Sequence, residues 1–144
     1  MPDLPQVTVA TIVSSNNQNL MVEEFDNREL IHNQPSGHVK PDERLFDAAI
    51  IETEEETGWR VTLKHLVGIF RHTSPLDSIT CTRLAFAAAP IEQLNIAIDP
   101  DIAAVHWLEK SEISARSLQS PMVMACIEAY ESGVWLPLSA VRHL

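Results

Sequence analysis

A single helical stretch lies among segments that otherwise read as strands, and this order limits the possible folds more than any other feature. From Asp42 to Thr57, Phe46, Ala49, Ile50, Thr53 and Thr57 fall on one side of a wheel drawn at about 100° per residue, which is a core-facing stripe. Asp42 stands where an N-cap belongs, and Gly58 where a left-handed C-terminal residue belongs. Before the helix, Val7–Ser15 is rich in β-branched residues, and Asn19–Phe25 follows the polar turn "NNQ", so the pair reads as a hairpin. His32–Glu43 holds two prolines and a glycine and reads as a loop. After the helix, Arg60–Thr73 and Ile79–Pro90 read as strands around "SPLDS", and Ile102–Lys110 as another. "SEISAR" is a short helix candidate. Pro121–Gly133 reads as a closing helix, with Pro at its start and Gly at its end. The order β-β-loop-α-β-β-β-α-α predicts one α/β (α+β) domain over residues 1–144, with a mixed sheet and helices on both faces.

Charge and cysteine usage narrow the function. A net charge of −10 disfavours nonspecific binding to a nucleic acid polymer or an anionic membrane, yet leaves room for a small phosphorylated ligand, because a metal ion inverts the local field. Cys81 and Cys126 lie far apart without a Cys/His ligand spacing, and read as free thiols of a reducing compartment. The first residues have no basic region ahead of their apolar run, and no run reaches the roughly 18 apolar residues of a membrane span. A cytoplasmic location is the expectation.

The helix carries an unusual load. Glu52, Glu55 and Glu56 are spaced i, i+3 and i+4 and share one face, while Glu54 and Asp47 point elsewhere. Ala48, one turn earlier, reads as clearance for an approaching group. Three carboxylates near a helix C-terminus repel one another and oppose the macrodipole, which favours cations there. Hard divalent cations with oxygen ligands suit such a face, Mg²⁺ above all, with Mn²⁺ as a substitute.

The stretch "GHVKPDERLFDAAIIETEEETGW" resembles the signature of the Nudix hydrolases. Gly37, Glu43, Glu52, Glu55, Glu56 and Gly58 match its fixed positions, and Trp59 fits the last apolar one. Ile51 stands where the family has Arg, and Thr53 where it has an aliphatic residue. "NQPSGH" and "SPMVMACIEAYESGVWLPL" further resemble a subgroup of small bacterial Nudix phosphatases, and the likeness runs from about Val7 to Leu138. The resemblance implies an α/β/α sandwich around a mixed sheet and Mg²⁺-dependent hydrolysis of a phosphoanhydride, in a nucleoside di- or triphosphate or a similar organic pyrophosphate. It implies Glu52, Glu55 and Glu56 as metal ligands, with the Gly37 carbonyl joining them and Glu55 or Glu52 orienting the attacking water. Asp101, six residues before Trp107, resembles an acid outside the box that serves as base in relatives.

Other candidates come from residue type. Arg83, alternating with apolar neighbours in its strand, can be aimed at a phosphate. His32 and Phe70 are candidates to stack on a substrate ring. His65, His72 and His106 read as ordinary surface or core residues. The partners expected are a small phosphorylated substrate and at most a second copy of the chain, as monomer or homodimer. A second reading, kept open by Ile51, is a nucleotide-binding or regulatory module with weak turnover.

Overall fold

A computed structural model describes residues 4–144. The strands are β1 (Gln6–Ser15), β2 (Gln18–Asp26), β3 (Glu29–Asn33), β4 (Ser36–His38), β5 (Trp59–Thr73), β6 (Thr80–Gln93), β7 (Ile102–Leu108) and β8 (Leu136–Pro137). The helices are α1 (Leu45–Thr57), α2 (Lys110–Ser114) and α3 (Met122–Ser132). β1 and β2 form the expected hairpin. Its turn residues, Asn16 and Asn17, hold φ of 51° and 63°, the left-handed values that suit a tight turn between right-twisted strands.

The sheet is mixed. β1 runs parallel to β6, whereas β5 pairs antiparallel with both β6 and β8. The other edge of β1 is shared: β4 takes Thr8–Ala10, and β2 takes Ser14 and Ser15. From there β2 leads away to pair with β3 on one side and β7 on the other. Alternation along the strands splits the core. Val9, Leu66 and Phe86 pack against Ala48 and Ala49 of α1, while Ile12, Val67, Ala85 and Ala87 pack against Cys126 of α3. This is the expected α/β/α sandwich. Among the described residues no helix is long and apolar enough to cross a membrane. Cys81 and Cys126 are free thiols, and burial pushes that of Cys126 up to about 11.

Three local expectations need correction. The stretch read as a loop contains the end of β3 and all of β4. Pro35 and the three-residue length of β4 hide a strand held only by its register on β1. The helix begins at Leu45, with Arg44 in the extended position before it; Asp42 lies outside, at φ 65°, and does not cap. Ala48 is fully buried in the α1-side core and gives no clearance for a ligand. At the other end Gly58 is left-handed as expected, at φ 74°, and its N–H closes on the Glu54 carbonyl at 2.8 Å.

Candidate active site

Helix α1 is rotated so that Ala48, Ala49, Thr53, Glu56 and Thr57 turn inward, and this brings one carboxylate of the acidic group under cover. Glu56 is 8% exposed, Glu52 is half-buried, and Glu55 and Ile51 are exposed. Thr53 fixes the rotation: its hydroxyl meets that of Thr11 in β1 at 2.8 Å. Strand β4 crosses in front of the helix. The Ser36 N–H donates to Glu56 Oε1 at 2.9 Å, and a Cβ on Gly37 would overlap the Glu52 carboxyl group. The bare Cα of Gly37 is what lets Glu52 lie against this strand.

These groups line a cleft of about 560 Å³, with Glu24 of β2, Asp101 and Arg83 of β6 also on its wall. Without a cation the acids are poorly accommodated. Burial pushes the Glu56 carboxyl up to about 8; the Ser36 N–H pulls it down, and Glu24, Glu52 and Asp99 push it further up. Glu52 is raised by burial and then by Glu55, and Glu24 chiefly by burial. The last turn of α1 carries no basic residue. An all-oxygen donor set, crowded and short of positive charge, fits a hard divalent cation.

The opposite wall is built around one buried cation. Arg83 is 2% exposed, donating through Nη1 to Gln34 Oε1 at 2.9 Å and through Nη2 to Asn33 Oδ1 at 3.2 Å. Gln34 is itself held by α3, its Nε2 donating to the Val123 carbonyl at 2.8 Å. Arg83 Nε has no protein partner. Both of its amide partners are neutral, so the guanidinium charge is oriented but not neutralised.

The structure therefore brings Gly37, Glu52, Glu56, Arg83 and Asp101 together. Glu55 stays at the exposed side of α1 and does not line the cleft. Two expectations fail. Phe70 packs onto the Ile12–Cys126 core cluster, and does not line the cleft. Its place in β5 puts the ring on the face covered by α3. His32 is 5% exposed and likewise absent from the cleft; its ring lies under Arg116, whose Nη1 approaches Nε2 at 3.2 Å. The His32 ring is closed to a substrate, and the half-buried Phe70 ring lies outside the cleft. Glu24, Asn33 and Gln34 went unassigned in the sequence. The one signal was polarity: "NQ" closes a short strand that contains Leu30 and Ile31, and both side chains are buried.

Comparison with known proteins agrees with this construction. Residues 4–126 match the NUDIX domain, so the chain belongs to the Nudix hydrolase family, whose members hydrolyse phosphoanhydrides in small phosphorylated compounds. It is 36% identical over 140 residues to Phosphatase NudJ of Escherichia coli K12, covering 95% of this chain and 90% of that protein. A NUDIX hydrolase from Nitrosomonas europaea superposes with a TM-score of 0.94 at 31% identity, covering 98% of both chains. The NUDIX domain of Shewanella oneidensis NrtR, solved with ADP-ribose, shares the fold at a TM-score of 0.75 and 14% identity, covering 92% of this chain and 90% of that one.

Proposed function

We propose that the chain is a Mg²⁺-dependent hydrolase of nucleoside di- or triphosphates or similar small organic pyrophosphates. The observation that carries this reading is the Glu56–Glu52 pair, packed against β4 and lining one cleft with the buried cation Arg83. Glu52 and Glu56 would hold the ion with the Gly37 carbonyl, and Glu55 would complete the set from the solvent side; Mn²⁺ would substitute. Bound there, the ion supplies phosphate charge neutralisation and a water of lowered pKa. Arg83, held by Gln34 and Asn33, supplies positive charge to the cleft that favours a bound phosphate. Asp101 or Glu24, both lining the cleft, accepts the proton of the attacking water. Charge and positioning dominate such a reaction, so rigid placement by β4, α1 and β6 is the protein's main contribution.

One observation supports a weaker enzyme or a binding module: Ile51, at the family's Arg position, gives Glu55 no cationic partner on the helix. Phosphate and pyrophosphate release from a panel of nucleotides, with and without Mg²⁺, tests both readings. The hydrolase reading expects turnover that needs Mg²⁺ and is lost in Glu52→Gln and Asp101→Asn. Nucleotide binding by calorimetry with no turnover on any substrate would leave the binding module instead.

A further inference from the structure

On the sheet face away from α1, three strands bring together a set of side chains that the cleft does not use. Glu23 of β2 is register-paired with His32 of β3, and His106 of β7 lies opposite Met21, two residues back along β2. His106 Nε2 meets Glu23 Oε2 at 2.9 Å, and the two imidazole centroids are 5.9 Å apart. One donor atom from each of the three lies within 4.8 Å of the others. His32 Nδ1 is buried with no hydrogen-bond partner, so hydrogen bonding alone does not account for this ring.

We propose that Glu23, His32 and His106 form a second metal site, for a borderline transition ion of the Zn²⁺ class, separate from the carboxylate cleft. Two imidazoles and one carboxylate are a donor set that Zn²⁺ accepts and Mg²⁺ does not favour. Zn–N and Zn–O bonds of about 2.0–2.2 Å set tetrahedral donors roughly 3.4 Å apart, so the widest pair closes by about 1 Å and the His106–Glu23 pair opens slightly, within the reach of side-chain rotation. The ion replaces the proton shared by His106 and Glu23, which leaves as H⁺. Arg116 is the group opposing it: its guanidinium rests on His32 Nε2, but the side chain is exposed and free to swing away. Its departure opens the remaining coordination position to water.

The site makes an unusual prediction, that removing a nearby residue tightens binding. Co²⁺ is titrated into the full chain and visible absorption is read, the intense bands of a four- or five-coordinate ion separating this site from the weak bands of an octahedral all-oxygen one. The wild type is expected to bind one Co²⁺ with the intense bands of a four- or five-coordinate site, and Zn²⁺ should displace it. His106→Asn should weaken binding at least about 100-fold, as loss of a direct ligand exceeds the 10- to 100-fold cost of losing a supporting one. Arg116→Ala should tighten it severalfold. Glu23→Gln, which keeps shape and hydrogen bonding, serves if His106→Asn fails to fold by circular dichroism, and should weaken binding likewise. Absence of the bands, or bands unchanged in His106→Asn and Glu23→Gln, overturns the site. So does Arg116→Ala binding no tighter than wild type. The assay reads no turnover, so it stands apart from the hydrolase proposal.

Discussion

The two walls of the cleft are stabilised in opposite ways. The Arg83 wall is largely complete within the protein: a buried cation holds two amides, and one of these is anchored on α3. The α1 wall is incomplete, because Glu56 is buried with one backbone N–H as its partner and with acids around it. One wall is built to stay still. The other stores unfavourable charge that a cation relieves, so binding energy for the ion is already present in the fold.

Neutralising Glu56 should break this contrast most strongly. Glu56→Gln keeps an oxygen for the Ser36 N–H while removing the charge. We expect turnover to fall more than about 100-fold, the scale seen when an electrostatic group of an active site is lost. Metal-free stability should hold or rise. The same group predicts a pH dependence. Its folded pKa of about 8 lies above the usual 4.5, so the folded state binds a proton more tightly than the unfolded one. Stability from this group is therefore fully present below about pH 4.5 and drains away as pH rises through 8. The ceiling is roughly 5 kcal/mol at 1.36 kcal/mol per unit, and relaxation around the charge will lower it. Urea melts at pH 6 and 8 check the sign, and Mg²⁺ should raise the midpoint more at pH 8. A metal-free protein more stable at pH 8 than Glu56→Gln would show that the acidic wall is not strained.

On the other wall, Arg83→Met keeps bulk but removes the donors. Asn33 and Gln34 are then left with buried acceptors, each worth about 1–3 kcal/mol. We expect a loss of about 2–3 kcal/mol in chemical denaturation, unaffected by Mg²⁺, together with a raised KM. A normal midpoint would mean that the guanidinium is not what holds the two amides.

Gly37→Ala tests the contact between β4 and the acidic wall without touching a charge. The added methyl meets only the end of the Glu52 side chain, which can rotate aside. Stability should change by less than about 0.5 kcal/mol, while misplacing one ligand should lower kcat/KM about tenfold or more. Equal losses in stability and activity would assign Gly37 to folding instead.

The acidic wall was legible in the sequence because its parts are local: Glu52 and Glu56 are one helical turn apart, and Gly37 sits at a fixed distance before them. Most of the opposite wall was not. Arg83 and Asp101 could be proposed from residue type, but Glu24 and Asn33 join them only through strand pairing, and Gln34 only through its hydrogen bond to Arg83, none of which a spacing encodes. His32 and Phe70 were misplaced for the same reason. Each is an aromatic ring in a strand, and which face it occupies depends on a register fixed elsewhere. His106 reads as ordinary in the sequence, and it meets Glu23 and His32 only when β7 lands beside β2.

Ile51 is the remaining difference within the acidic wall, and its effect should be the smallest. The side chain is 42% exposed and Glu55, four residues on, is exposed too. Ile51→Arg would create an i, i+4 pair with Glu55 worth about 0.2–0.5 kcal/mol, a shift near the limit of a thermal melt. The informative readout is kcat. Glu52 and Glu56 are already oriented by contacts with β4, so a gain in kcat would arise from Glu55 being drawn from solvent toward the cleft. An unchanged kcat, with the small stability gain present, would show that the contacts with β4 suffice to position the acidic wall without an Arg at this place, and that Glu55 contributes little from the solvent side.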